Sequence, residues 1–129
     1  MLTGTCHCGQ VTWTFDANPK SVTACNCTNC AKAGVLWIYG TEGEDITVTG
    51  PTTPYVRKDG GALEFHHCQT CGNNVFWRLT DPDNMRAAVN LRLTDDPKSL
   101  MDLPVRHFDG LNAFEALPDD DTTLKDLWF

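Results

Sequence analysis

Residues 25–30 read Cys25-Asn26-Cys27-Thr28-Asn29-Cys30, with Cys6-His7-Cys8-Gly9 before them and Cys68-Gln69-Thr70-Cys71-Gly72 after. These three groups hold all seven cysteines of the 129-residue chain. Four thiolates close a structural zinc site, whereas three leave one coordination position open. Seven cysteines supply one of each. Two pairs from distant stretches, Cys6/Cys8 and Cys68/Cys71, suit the closed site and would pin the beginning of the chain to its middle. The trio within six residues could hold a metal from one side. Spacing alone leaves open a second arrangement, in which His66 or His67, beside Cys68, completes the second site with an imidazole.

Disulfides are the rival use of so many cysteines. Small secreted domains employ them, but normally in even number and behind a signal peptide. Met1 to Cys8 offers neither a basic nor an apolar leader segment. Cysteines two or three residues apart would also close loops too short to restrict the unfolded chain. Zinc instead requires sulfurs about 2.3 Å from one ion, which short spacings favour. The expectation is therefore two zinc ions per chain in a reducing, cytoplasmic setting. Redox work at Cys68-x-x-Cys71 lacks the surrounding βαβ pattern that such a motif needs.

The length suits one zinc-binding domain spanning 1–129. The longest apolar run, Val35 to Tyr39, is too short for a membrane span. A formal charge of -7 counts against nucleic acid or an anionic membrane as the main partner, though a local basic patch could still receive an anionic substrate. No phosphate-binding glycine loop, dinucleotide fingerprint or serine-nucleophile elbow is present.

Residues 10–15 alternate polar and apolar, placing Val11, Trp13 and Phe15 on one face of a strand. Further strands are expected at 34–39, 45–49, 54–58, 62–67, 74–79 and 85–91. Turns fall at Gly50-Pro51, Gly60-Gly61 and Asp81-Pro82. In this reading Cys6 and Cys8 precede the first strand. Short helices are expected at 97–101 and 122–127, the latter behind Asp119-Asp120-Asp121 as a solvated turn and cap. The pattern predicts a mainly β, antiparallel fold.

The order Cys6-x-Cys8-Gly9-x-Val11, Cys25-x-Cys27-x-x-Cys30, Cys68-x-x-Cys71-Gly72 resembles the glutathione-dependent formaldehyde-activating enzyme family, which includes centromere protein V. The resemblance runs from Thr3 to about Leu117. It implies a β-tent of antiparallel sheets built around zinc. It further implies Cys6, Cys8, Cys68 and Cys71 as structural zinc ligands and Cys25, Cys27 and Cys30 as ligands of a second, catalytic zinc. The enzyme branch typically carries Cys-His-Cys-x-x-Cys followed by arginines and Gly-Ser. Here Asn26 replaces the histidine, and Lys32 follows the last cysteine by two residues. The stretches 89–97 and Arg106-His107-Phe108-Asp109-Gly110 also resemble the centromere protein V branch more closely. These departures bear on substrate rather than on fold.

Zinc held by three thiolates suits thiol chemistry, because a metal converts a thiol of pKa about 8.5 into the nucleophilic thiolate at neutral pH. The expected reaction is carbon–sulfur lyase chemistry on adducts of a small thiol, such as glutathione, with an aldehyde such as formaldehyde. Lys32 could hold a substrate carboxylate. His66 or His67 could serve as ligand or proton carrier, facing opposite sides of a strand. Trp37 and Trp77 could wall a pocket or fill the core. Two rival readings are a zinc-stabilised binding module and a zinc-thiolate redox sensor.

Overall fold

The structure, a computed structural model, describes residues 1–128. In chain order its strands and helices are β1 (Leu2–Thr5), β2 (Thr12–Phe15), β3 (Val22–Cys25), α1 (Thr28–Ala33), β4 (Trp37–Thr41), β5 (Ile46–Thr49), β6 (Thr52–Tyr55), β7 (Leu63–Cys68), β8 (Asn74–Leu79), β9 (Arg86–Asn90), β10 (Val105–Asp109), β11 (Glu115–Ala116) and α2 (Leu124–Trp128). Single 3-10 turns occupy Leu91–Leu93 and Pro97–Leu100. The protein is mainly β. A three-stranded sheet runs β1-β2-β5, and an eight-stranded sheet runs β11-β10-β3-β4-β9-β8-β7-β6.

The alternation at 10–15, from which β2 forms, does what its sequence dictates: Val11, Trp13 and Phe15 are all buried. With Ile46 they meet Ile38, Val89, Ala87 and Phe76 of the large sheet, so the main core lies between the two sheets. Each large apolar side chain buried there contributes about 1.5–3 kcal/mol.

A strand precedes the first cysteines, contrary to the sequence reading. The stretch Leu-Thr-Gly-Thr carries little apolar alternation, yet it pairs along β2 from Leu2↔Phe15 to Thr5↔Thr12. Gly4 permits this, since a Cβ there would lie 2.2 Å from Cε2 of the Trp13 indole. Other boundaries shift. The strand expected at 34–39 starts at Trp37, because Gly34, at φ 66°, caps α1 first. The strand expected at 54–58 runs from Thr52 to Tyr55.

The large sheet is mixed rather than wholly antiparallel. Strands β10 and β3 pair in parallel, from Val105↔Val22 to Phe108↔Cys25. Strand β3 was not among the strands expected from the sequence, whereas His107, most simply read as a strand residue, falls on β10. The aspartates 119–121 are solvated as expected, with Asp120 Oδ1 accepting from Thr122 N at 2.9 Å, but α2 begins at Leu124 behind Thr123, so none of them caps it. No helix among the described residues is long and apolar enough to cross a membrane.

Candidate metal centres

All seven cysteines are free thiols gathered into two sets. Cys6, Cys8, Cys68 and Cys71 form one set; Cys25, Cys27 and Cys30 form the other. Within each set the sulfurs lie within 4.8 Å of one another. In the first, Cys6 Sγ lies 3.6 Å from Cys8 Sγ, and Cys8 Sγ lies 3.5 Å from Cys68 Sγ. Four sulfurs around a tetrahedral zinc at about 2.3 Å would stand about 3.8 Å apart. The donor set therefore fits zinc.

The four-cysteine set joins the β1–β2 turn to the β7–β8 turn. Its surroundings are mostly backbone: Val11 N donates to Cys6 Sγ at 3.3 Å and Thr70 N to Cys68 Sγ at 3.4 Å. Side chains reinforce the junction, Thr70 Oγ1 donating to Gln10 Oε1 at 2.6 Å and His7 N to Asn73 Oδ1 at 2.7 Å. Amide donors at Asn73 and Cys8 pull the Cys71 thiol down to about 6.

The trio sits where β3 runs into α1. Cys25 ends β3. Cys27 is the N-cap of α1, its Sγ accepting from Cys30 N at 3.3 Å. Cys30 occupies the first turn and is buried. Six residues of helix are too few to persist alone. This one is held by its cap, by Gly34 N donating back to Cys30 O at 3.0 Å, and by Arg57 Nη2 on Thr28 Oγ1 at 3.3 Å. No helix had been expected at 25–30; cysteine as a cap is a signal that propensity rules do not carry.

Two hydrogen bonds reach the trio from outside the helix. The Trp37 indole Nε1 donates to Cys30 Sγ at 3.3 Å. Cys27 N donates to Cys25 Sγ at 3.4 Å. The Gly110 amide also approaches Cys25 and favours its thiolate. A Cβ at Gly110 would stand 2.8 Å from Cys25 Sγ and 3.0 Å from Cys27 Cβ, so only glycine allows this approach. Asp109 fixes the loop: its carboxylate accepts from Asn26 Nδ2 at 3.0 Å, Asn112 N at 3.1 Å and Ala113 N at 3.2 Å. Asn26 Oδ1 in turn accepts from Leu111 N at 3.0 Å. The Cys25 thiol falls to about 5 through its hydrogen bond with Cys30 and those amides, against the effect of burial. Cys30 is pushed up, first by Cys25 and then by burial.

Trp37 and Trp77 lie in a small core with Cys27, Cys30 and Phe65. Trp37 stands 6.2 Å from Phe65 and 6.5 Å from Trp77, ring centre to ring centre. Trp77 is flanked by Tyr39 at 5.9 Å. Core packing and site wall are thus one set of rings. In the sequence Asp109 and Gly110 were quoted only as parts of a longer stretch, and Asn26 only as a departure from the enzyme branch. Their contact requires the parallel β3–β10 pairing, which no local signal announces.

His66 and His67 lie outside both sulfur sets. Alternation along β7 turns Phe65 toward Trp37 and sends His66 to the opposite face. There it stacks on Phe76 at 4.6 Å, with Nδ1 2.8 Å from Thr52 Oγ1 and Nε2 3.1 Å from Glu64 Oε1. A register shift separates it from half-buried His67. Lys32 is exposed on α1 and lines a cleft with Arg57 and Lys58.

Residues 1–107 match the family described as glutathione-dependent formaldehyde-activating enzyme. The chain belongs to that family. A crystal structure of a Rhodobacter sphaeroides protein, solved as a Northeast Structural Genomics target, aligns with TM-score 0.62 at 22% identity. That alignment covers 80% of this chain and 98% of the other. At such identity the likeness shows the fold. No curated protein matches the chain. Membership in the formaldehyde-activating family agrees with both cysteine sets as zinc-capable centres, since all seven cysteines fall within the matched residues.

Proposed function

We propose that the chain is a zinc-dependent carbon–sulfur lyase that forms and cleaves adducts between a small thiol and an aldehyde. Glutathione and formaldehyde, the pair in the family's description, are the first candidates. One observation carries this reading: three cysteine sulfurs converge at the β3–α1 junction with no fourth ligand residue in their set among the described residues, whereas the other set has four. Four thiolates satisfy zinc; three leave a place for a substrate.

Zinc in the trio would supply a cationic position that stabilises an incoming thiol as its thiolate. The chain's residues do the rest. Trp37 Nε1 and the amides of Cys27 and Gly110 spread the charge of the ligand sulfurs. The Trp37, Phe65 and Trp77 rings keep water from one side of the centre. Asn26 and Asp109 hold the 109–113 loop against the other. In the forward reaction the thiol S–H bond breaks, a C–S bond forms at the carbonyl carbon, and the proton ends on the former carbonyl oxygen. No oxidant or reductant is consumed. Cleavage reverses these changes.

The test is exchange NMR on glutathione plus formaldehyde, with zinc-loaded protein, its Cys27→Ser variant and a protein-free control. Serine is itself a good N-cap, so this variant removes the ligand while keeping the start of α1. Exchange above background with wild type alone supports the reading. Equal exchange in all three samples removes the glutathione–formaldehyde reaction and leaves the trio's metal as part of the fold.

A further inference from the structure

Three of the chain's ten lysines and arginines gather in one place. Lys32, Arg57 and Lys58 line a cleft of about 380 Å³ with Thr28, Asn29 and Asp59. Three cations less one carboxylate give the lining a formal charge of +2, in a chain whose total is -7. Asp59 is committed to Arg57, accepting from Nε at 3.2 Å and Nη2 at 3.1 Å. Among the described residues, Lys32 and Lys58 have no ion-pair partner.

The cleft runs along the edge of α1 on which Thr28 and Lys32 are one turn apart. Its Arg57 end meets Thr28, the residue after the Cys27 ligand. Two lysines free of carboxylates and a guanidinium already oriented by Asp59 and Thr28 make a receptor for a carboxylate, which accepts several charge-assisted hydrogen bonds at once.

We propose that this cleft is a carboxylate-binding subsite, so that the neighbouring three-thiolate centre selects thiols carrying a carboxylate over neutral ones. The selection rests on the lyase reading above; the carboxylate binding does not. Lys32 and Arg57 are positioning residues here, acting on the substrate's tail and not on its sulfur.

The experiment titrates zinc-loaded, ¹⁵N-labelled protein with S-methylglutathione, whose blocked sulfur cannot act as a thiol, and with its dimethyl ester, which lacks both carboxylates. Shifts at the amides of Thr28, Asn29, Lys32, Arg57 and Lys58 are expected. Affinity should fall about ten-fold for the ester and for Lys32→Gln, on the scale of one charge-assisted bond. Arg57→Gln should weaken it similarly and Arg57→Lys restore most of it. Equal affinity for acid and ester, shifts elsewhere on the protein, or unchanged binding by Lys32→Gln would each overturn the subsite. Failure of the exchange assay with these shifts intact would remove the lyase reaction and leave the subsite standing.

Discussion

Replacing Trp37 with phenylalanine takes one hydrogen-bond donor from the three-thiolate centre. The indole Nε1 donates to Cys30 Sγ at 3.3 Å, while its ring packs on Phe65 and Trp77. Phenylalanine keeps an aromatic ring in the same small core and has no N–H to offer. A hydrogen bond to a charged acceptor contributes about 1.5–3 kcal/mol. Partners standing behind metal ligands typically change metal affinity by about 10–100-fold. At about 1.4 kcal/mol per factor of ten, the lower bound predicts zinc held about ten-fold more weakly by the trio. The smaller ring should also cost about 1–2 kcal/mol of stability through the cavity it leaves. Zinc competition against a chromophoric chelator separates these effects. The trio's phase is identified by its absence in Cys27→Ser, and melting under saturating zinc reports the packing loss. If the melting temperature falls while the trio's zinc affinity stays within about two-fold, the indole N–H does not support the ligand and the reasoning fails. Equal weakening of both zinc phases would refute it too, since Trp37 touches only one centre.

Three further outcomes are expected. Gly110→Ala should cost about 1–3 kcal/mol by pressing a methyl group onto Cys25 and Cys27, weakening zinc at the trio and sparing the four-cysteine site; zinc stoichiometry after mild chelation checks this. In metal-free protein the Cys25 thiol, lowered from 9.0 to about 5, contributes stability that is complete above 9.0 and lost as pH falls through about 5. Iodoacetamide labelling read by mass spectrometry should therefore find Cys25 reactive at pH 6–7 and Cys30, whose thiol is raised, silent; equal labelling of both would contradict it. Cys68→Ser should unfold the chain, because its site joins turns from two sheets, whereas Cys27→Ser should leave a folded protein with one zinc; circular dichroism with metal analysis decides.

What was legible in the sequence followed local physics. The buried face of β2 could be read from Val11, Trp13 and Phe15 because alternation is a two-residue signal. The two sulfur sets could be read from spacing because short separations keep ligands together in any compact fold. Strand β1 was missed because its identity depends on Gly4 lying under Trp13, a contact made across a turn. The trio's outer contacts were missed for the same kind of reason on a longer scale. Asn26 and Asp109 are 83 residues apart, and only the parallel pairing of β3 with β10 brings them to 3.0 Å. Helix α1 was hidden by its cap, since a cysteine at that position reads as a ligand before it reads as an N-cap.

The two sulfur sets differ in what surrounds them, and under the proposed function that difference would separate a fold-holding metal from a reactive one. Around Cys6, Cys8, Cys68 and Cys71 the donors to sulfur are backbone amides of the same turns that supply the ligands. Folding those turns completes the site, and four sulfurs leave nothing for a substrate. Around Cys25, Cys27 and Cys30 the chain adds groups the metal's own loop does not contain: an indole from β4, an amide from the 109–113 loop, and a cationic cleft along α1. A purely structural zinc needs none of these. Their convergence on the set that is one ligand short argues that the second centre is built to receive something. Substitutions at Trp37, Gly110 and Lys32 should therefore change metal affinity or ligand selection there while leaving the sheet-to-sheet junction at Cys68 intact.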